Sequence, residues 1–299
     1  MKISSILPRP VRRPVSAALV GVLVTGAAVA CSIGGTAPEP NPDDPARYLS
    51  GTVAIGINPE QPGLSEYDNG TWTGFDVAFA HWLEREIGFE ASFVSIPLDQ
   101  RESRLVNKNV KLVISTFSIT DTRREQIDFA GPYFLDSQGI LTQGDQEIED
   151  FDSLRGKSVC VPSGSTSAER LREMGIAPAE EPSLERCVQR VVDGEVLAVS
   201  TDRVVLEGAA AAPQWAGYDL QVPKNFRYGR DAYGIGLPNN FPKTCAFLTE
   251  KIKKFILDEW QPKFDQNLKF ASADDRMPDV NGLDPCEQPT GAAGASTPR

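Results

Sequence analysis

Histidine is almost missing from this chain: His81 stands alone among 299 residues. A serine or cysteine nucleophile needs a base at its side. A hydrolase built on the stretch PSGSTS (162–167) would have to recruit His81 from inside an amphipathic helical segment, 74–88, beside Trp82. No clear carboxylate pair replaces the missing base, so no enzymatic activity is expected. Metal chemistry meets the same shortage. With one histidine and no C-x-x-C pair, neither a zinc nor another metal centre has an obvious ligand set, and no cofactor is expected. The glycine-rich G-x-x-x-x-G-K signature of a nucleotide P-loop is absent. Positive charge is also short, with 30 basic residues against 41 acidic ones and a net charge of −11. Without a basic stripe, nucleic acid is excluded as a partner. The apolar run VSAALVGVLVTGAAVA (15–30) falls short of the ~20 residues that a bilayer-spanning helix needs.

That run follows Lys2, Arg9, Arg12 and Arg13, with no acid among them. A basic start and a short apolar core suit a secretory signal over residues 1–30 that is removed on export. Losing four cations and no acid takes the net charge from −11 to −15. Such a field repels anions at long range, so any anion selectivity must come from charges placed locally. The run ends in Ala-Val-Ala-Cys and resembles the bacterial lipobox, which implies lipidation of Cys31. The other four cysteines, Cys160, Cys187, Cys245 and Cys286, are an even number in an oxidising compartment. Sequence leaves three pairings open, of which Cys160–Cys187 and Cys245–Cys286 is the simplest. Residues 31–49 are rich in proline, glycine and acids and are expected to act as a flexible tether. By composition, 287–299 is expected to be a disordered tail.

Between these ends, strand-like and helix-like segments alternate. Strands are expected at 53–57, 91–96, 111–116, 139–143, 158–162, 196–202 and 232–238. Helices are expected at 74–88, near 99–107, and at 165–175, 183–194 and 244–260. Thr166 and Glu169 have the spacing of a capping box. Alternation of this kind indicates an α/β protein with parallel sheets, in which ligands lie beyond the carboxyl ends of strands. The stretches STFSITDTRR, after 111–116, and SGSTSAE, after 158–162, fit that position. They are expected to belong to different sheets, with the ligand in a cleft between two lobes.

Arg123 opens the question of why so acidic a chain sets two arginines, 123 and 124, beside a run of hydroxyls. Its guanidinium is a planar fork of five donors that matches a carboxylate bidentately; the alternative is a surface ion pair with Asp121, Glu125 or Asp128. Ser165 and Thr166 open a helix whose N-terminal N–H groups attract anions, although a plain cap needs only one of the two hydroxyls. Asp202, closing the run VLAVSTD, suits an ammonium partner or a helix cap.

The segments GFDVAFAHWLEREIG, VISTFSITDTRREQIDFAGPYF, LRGKSVCVPSGSTSAERL, VLAVSTD and DAYGIGLP occur in one order and spacing. In these the chain resembles the extracellular solute-binding proteins of polar amino-acid ABC transporters, family 3, over about 50–285, and looks most like the actinobacterial glutamate-binding branch. The resemblance implies a two-lobed periplasmic-binding-protein-like fold of type II. Lobe 1 would comprise 50–140 and 232–286 and lobe 2 141–231, with crossings near 138–143 and 227–233. It implies that Arg123 holds the α-carboxylate of a free amino acid, that Thr116 and Ser118 contact the ligand backbone, and that Asp202 meets its α-ammonium. Arg101 in LDQRESRL matches an arginine that reaches an acidic side chain in related glutamate binders. An aromatic pair that follows the first strand in many members is missing; NPEQPGLSEYDNG stands there, making Gln61, Gly63 and Leu64 candidate lining, with Phe117, Tyr67 and Trp72 as candidate stacking residues. The implied protein is a monomeric lipoprotein on the outer face of the cell membrane, working with an ABC permease. The alternative is an amino-acid sensor that signals to a membrane regulator or kinase.

Overall fold

The computed structural model describes residues 42–283 and 286, apart from 145, 147 and 149. The expected signal, Cys31 and the terminal tail lie outside these residues. The expected tether enters the fold early. Helix α1 (Pro45–Tyr48) is capped by Asp44, Tyr48 packs on Phe241, and the Asp43 carboxylate accepts the backbone N–H groups of Lys243 and Thr244 at 2.9 and 2.8 Å.

Strand β1 (Thr52–Ile57) leads into a small antiparallel meander of β2 (Glu60–Gln61), β3 (Ser65–Asp68) and β4 (Thr71–Thr73). Helix α2 (Phe75–Ile87) follows and stops at Gly88, whose φ of 90° lies in the left-handed region that glycine enters without penalty. Then come β5 (Glu90–Ser95), α3 (Arg101–Val106), β6 (Leu112–Val113) and α4 (Asp121–Arg124). The long β7 (Ile127–Gln143) precedes β8 (Val159–Pro162), α5 (Thr166–Glu173), β9 (Ala179–Glu181) and α6 (Leu184–Val192). The chain continues through β10 (Ala198–Asp202), α7 (Arg203–Ala211), β11 (Leu220–Gln221) and β12 (Tyr228–Pro238) to α8 (Pro242–Asp258) and α9 (Trp260–Asn267).

The main sheet runs β5-β1-β6-β12-β7-β10-β8-β9, with β11 also on β7. Parallel strands β5, β1 and β6 lie at one end, and parallel β10, β8 and β9 at the other. Antiparallel β7 and β12 join the two groups. Residues 127–136 of β7 pair only with β12, whereas 138–142 pair with β10. One strand therefore serves both α/β halves. The expected short strand at 139–143 is the last third of β7; Gly131 and Pro132 disguised the rest as a turn.

Each half has its own apolar packing. Ile140, Leu154, Val159 and Leu171 form one cluster, and Leu105, Val113, Phe117 and Phe129 another. Behind β7, Phe75, Phe134, Phe255 and Trp260 interlock with ring centroids 5.3–6.0 Å apart. Burying each such ring stabilises the fold by roughly 2–3 kcal/mol. Disulfides join Cys160 of β8 to Cys187 of α6, and Cys245 of α8 to Cys286.

Candidate ligand cleft

After Val113 the chain leaves the sheet earlier than its hydrophobicity suggests, and Thr116 takes a φ of +41°. Asp76, fully buried in the first turn of α2, holds that conformation. Its Oδ2 accepts the Thr116 N–H at 2.9 Å and its Oδ1 the Tyr133 hydroxyl at 2.9 Å. Burial pushes the Asp76 carboxyl up to about 7 against the opposing pull of those two donors. Gln61 donates from Nε2 to the Thr116 hydroxyl at 2.8 Å.

Two guanidinium groups flank this loop. Arg101, 2% exposed, donates to the carbonyls of Leu98, Ser115, Thr116 and Gly164 at 2.9–3.1 Å. Arg123 donates to Ser118 O at 2.7 Å and to Gly164 O at 3.0 Å, and pairs through Nε with Glu102 at 2.7 Å. The expected surface alternatives were Asp121, Glu125 and Asp128; the carboxylate that pairs with Arg123 instead comes from α3. Both guanidinium carbons lie over the Phe117 ring, 4.6 and 4.9 Å from its centroid. Phe117 is thus a buried platform for cations. Burial and the neighbouring Arg123 charge pull the Arg101 guanidinium down to about 9. This crowding of positive charge in a desolvated place favours an anion.

Gly164, the shared acceptor, belongs to the loop between β8 and α5. Its φ is +76°, and a Cβ there would lie 2.5 Å from Asp99 Cα. Ser165 occupies the N-cap of α5, yet its hydroxyl makes no capping bond and has no partner among the described residues. The expected capping box does not form. Thr166 is already helical, and its hydroxyl meets Gln138 Nε2 at 2.7 Å and Asp231 Oδ1 at 3.2 Å. A groove of about 280 Å³ runs between Glu102, Thr120 and Arg123 on one wall and Gly164, Ser165 and Arg172 on the other.

Asp202 ends β10 and is 7% exposed. It precedes α7 but makes no side-chain cap; Asp136 does that work, accepting the Val204 N–H at 2.7 Å. Asp202 accepts the Tyr233 hydroxyl at 2.7 Å instead. Burial first, then the charges of Asp231 and Asp136, push its carboxyl well above the ordinary range. A cation beside it would relieve that cost.

Arg101, Thr116, Ser118 and Arg123 are tied together by this loop network, which reaches the start of α5 through the Gly164 carbonyl next to Ser165 and Thr166, and Asp202 joins it through Tyr233, since Tyr233 pairs with Ser118 in an isolated bridge. Gly63 is not drawn in. Its φ is +73°, its N–H goes to Glu66, and a Cβ would strike Phe270 and the Asn267 carbonyl. Leu64 is core, and Tyr67 and Trp72 stack on each other and toward Phe93 rather than on this loop. His81 pairs with Glu84 on its own helix at 2.7 Å. Sequence reasoning missed Asp76, Tyr233 and Glu102. For Asp76 a signal was present: an acid one residue into the apolar face of GFDVAFAHW.

Residues 53–269 match the family model for bacterial extracellular solute-binding proteins, family 3. The chain is 31% identical over 229 residues to the glutamate-binding protein GluB of Corynebacterium glutamicum, covering 71% of this chain and 77% of that protein. It is 28% identical over 228 residues to GluB of Corynebacterium efficiens, with the same coverages. Among solved structures, an ancestral arginine-binding protein bound to glutamine superposes with a TM-score of 0.67 at 25% identity, covering 75% of this chain and 100% of that one. The solute receptor for L-cysteine of Neisseria gonorrhoeae has a TM-score of 0.69 at 18% identity, covering 76% and 96%.

Proposed function

We propose that this chain, which belongs to the bacterial extracellular solute-binding proteins, family 3, captures a free polar amino acid outside the cell and delivers it to an ABC importer. Glutamate stands first among the ligands, ahead of glutamine, aspartate and asparagine, because two relatives are named glutamate-binding proteins. The observation that carries the reading is the pair of guanidinium groups stacked on Phe117 and converging on Gly164, with the buried Asp202 in the same network. A zwitterion has the complementary charges.

In this reading Arg123 offers its remaining N–H groups to the α-carboxylate, and the open N-terminus of α5 at Ser165 adds donors from the facing half. Asp202 takes the α-ammonium. Thr116 and Ser118 line the ligand backbone on a loop that Asp76 and Gln61 hold rigid. Arg101, committed to four carbonyls, fixes that loop and keeps one N–H for an acidic side chain. The halves are lobe 1, 50–140 with 232–286, and lobe 2, 141–231, hinged near 138–143 and 227–233. A ligand that touches both favours the closed state by its differential contacts. The closed form then docks as a monomer on its permease, held at the membrane by a lipid on Cys31.

Calorimetric titration with each of the twenty amino acids tests the reading. Micromolar affinity, about −8 kcal/mol, is expected for an acidic or amide amino acid; binding by none of these overturns the specificity.

A further inference from the structure

Gln138 is fully buried on β7, directly opposite Asp202 of β10 in the antiparallel ladder. Partners in such a ladder project to the same side of the sheet. The orientation of the Gln138 amide follows from its neighbours. The Thr166 hydroxyl has one proton, and the Asp231 carboxylate at 3.2 Å takes it because a carboxylate only accepts. That hydroxyl must then accept from Gln138 at 2.7 Å, which places Nε2 on Thr166 and turns Oε1 away. Oε1 has no hydrogen-bond partner among the described residues. A buried carbonyl oxygen left without a donor is costly and calls for a partner.

Resting on the amino-acid-binding reading above, we propose that Gln138 Oε1 is a second acceptor for the α-ammonium of the ligand, alongside Asp202. An ammonium has three N–H donors and no acceptor, so a single carboxylate leaves it under-satisfied in a dry cleft. Gln138 supplies a neutral acceptor without adding a fourth acid to a neighbourhood that already holds Asp136, Asp202 and Asp231. It also explains the two-sided placement of the amide: Nε2 fixes Thr166, which lies beside the α5 N-terminus, while Oε1 reads the other pole of the zwitterion. Gln138 thereby selects amino acids over the corresponding hydroxy acids.

The test is a cycle of two ligands and two proteins, L-glutamate and L-2-hydroxyglutarate against wild type and Gln138→Met, read by calorimetry with competition for the weaker ligand. Ligand-free melting temperatures check folding. The expected result is a tenfold or greater loss for L-glutamate in Gln138→Met, a loss of less than threefold for L-2-hydroxyglutarate, and a melting temperature close to wild type. Equal losses for both ligands would make Gln138 a prop for Thr166 only and overturn the proposal, as would unchanged glutamate affinity. Wild-type protein that binds no glutamate at all is a different failure, that of the glutamate reading itself, and it appears in the wild-type titrations alone.

Discussion

At the scale of single residues, the cleft crowds desolvated like charges: Arg101 lies beside Arg123, which Glu102 offsets, and Asp202 lies near Asp136 and Asp231. Asp202 carries the clearest consequence. Its carboxyl is raised by burial and by the neighbouring Asp231 and Asp136, with Tyr233 and Arg170 pulling the other way. Because an ammonium binds the ionised form, uptake of an amino acid should expel a proton, and affinity should fall as pH drops through the raised Asp202 value. Titrations in buffers of different ionisation enthalpy should report proton release on binding, with weaker binding at the acid end. Folding of the ligand-free protein should respond with the opposite sign. Asp76 and Asp136 are raised from 3.8 to about 7 and about 6, so the stability tied to them is full below 3.8 and is lost as pH rises through those values. An affinity that does not change between pH 5 and 8 would contradict the role given to Asp202.

Part of this network was legible in the sequence. Arg123 was singled out by the hydroxyls around it and by the family resemblance, while its partners Ser118 O, Gly164 O and Glu102 emerge only in the fold. Asp202 stands out because it terminates a run of apolar residues. Asp76 left one mark, an acid set into an apolar helix face, but what it and Gln138 do depends on which backbone N–H or hydroxyl lies across the fold. At Gly63 the glycine serves a left-handed turn packed against Phe270, and nothing local in the sequence distinguishes that from a glycine lining a site.

At the scale of elements, the loop between β8 and α5 sets how closely the two walls approach. Gly164 offers one carbonyl to both arginines and lies against the Asp99 backbone with no room for a methyl group. Gly164→Ala adds a Cβ where φ is +76° and where backbone, rather than a yielding side chain, is in the way. The expected outcome is at least tenfold weaker amino-acid binding, about 1.4 kcal/mol, in a protein that still folds; calorimetry with circular dichroism checks both. Wild-type affinity in this variant would mean that the walls do not need to come this close. The same scale explains the misjudged elements. The short segments β1, α2, β8 and α6 announce themselves by local periodicity and by stops such as Gly88. The first two thirds of β7 and the first residues of β12 do not, since their strand character comes from pairing with each other across about a hundred residues. In α5 the capping-box spacing was present, but Asp231 and Gln138 outcompete the local backbone for the Thr166 hydroxyl.

At the scale of the whole molecule, β7 and β12 connect two α/β halves, and the charges assembled here come from both. Arg101 and Arg123 arise from α3 and α4, Gly164 and Ser165 from the loop beyond β8, and Asp202 from the end of β10. In the proposed reading, a ligand that touches both groups links the halves and favours the closed state. The most direct measurement is a crystal structure of the protein grown with L-glutamate. The account predicts one glutamate between the halves, with its α-carboxylate on the Arg123 guanidinium and its ammonium on Asp202. A glutamate bound elsewhere, or bound in the cleft with Arg123 turned to bulk water, would contradict it.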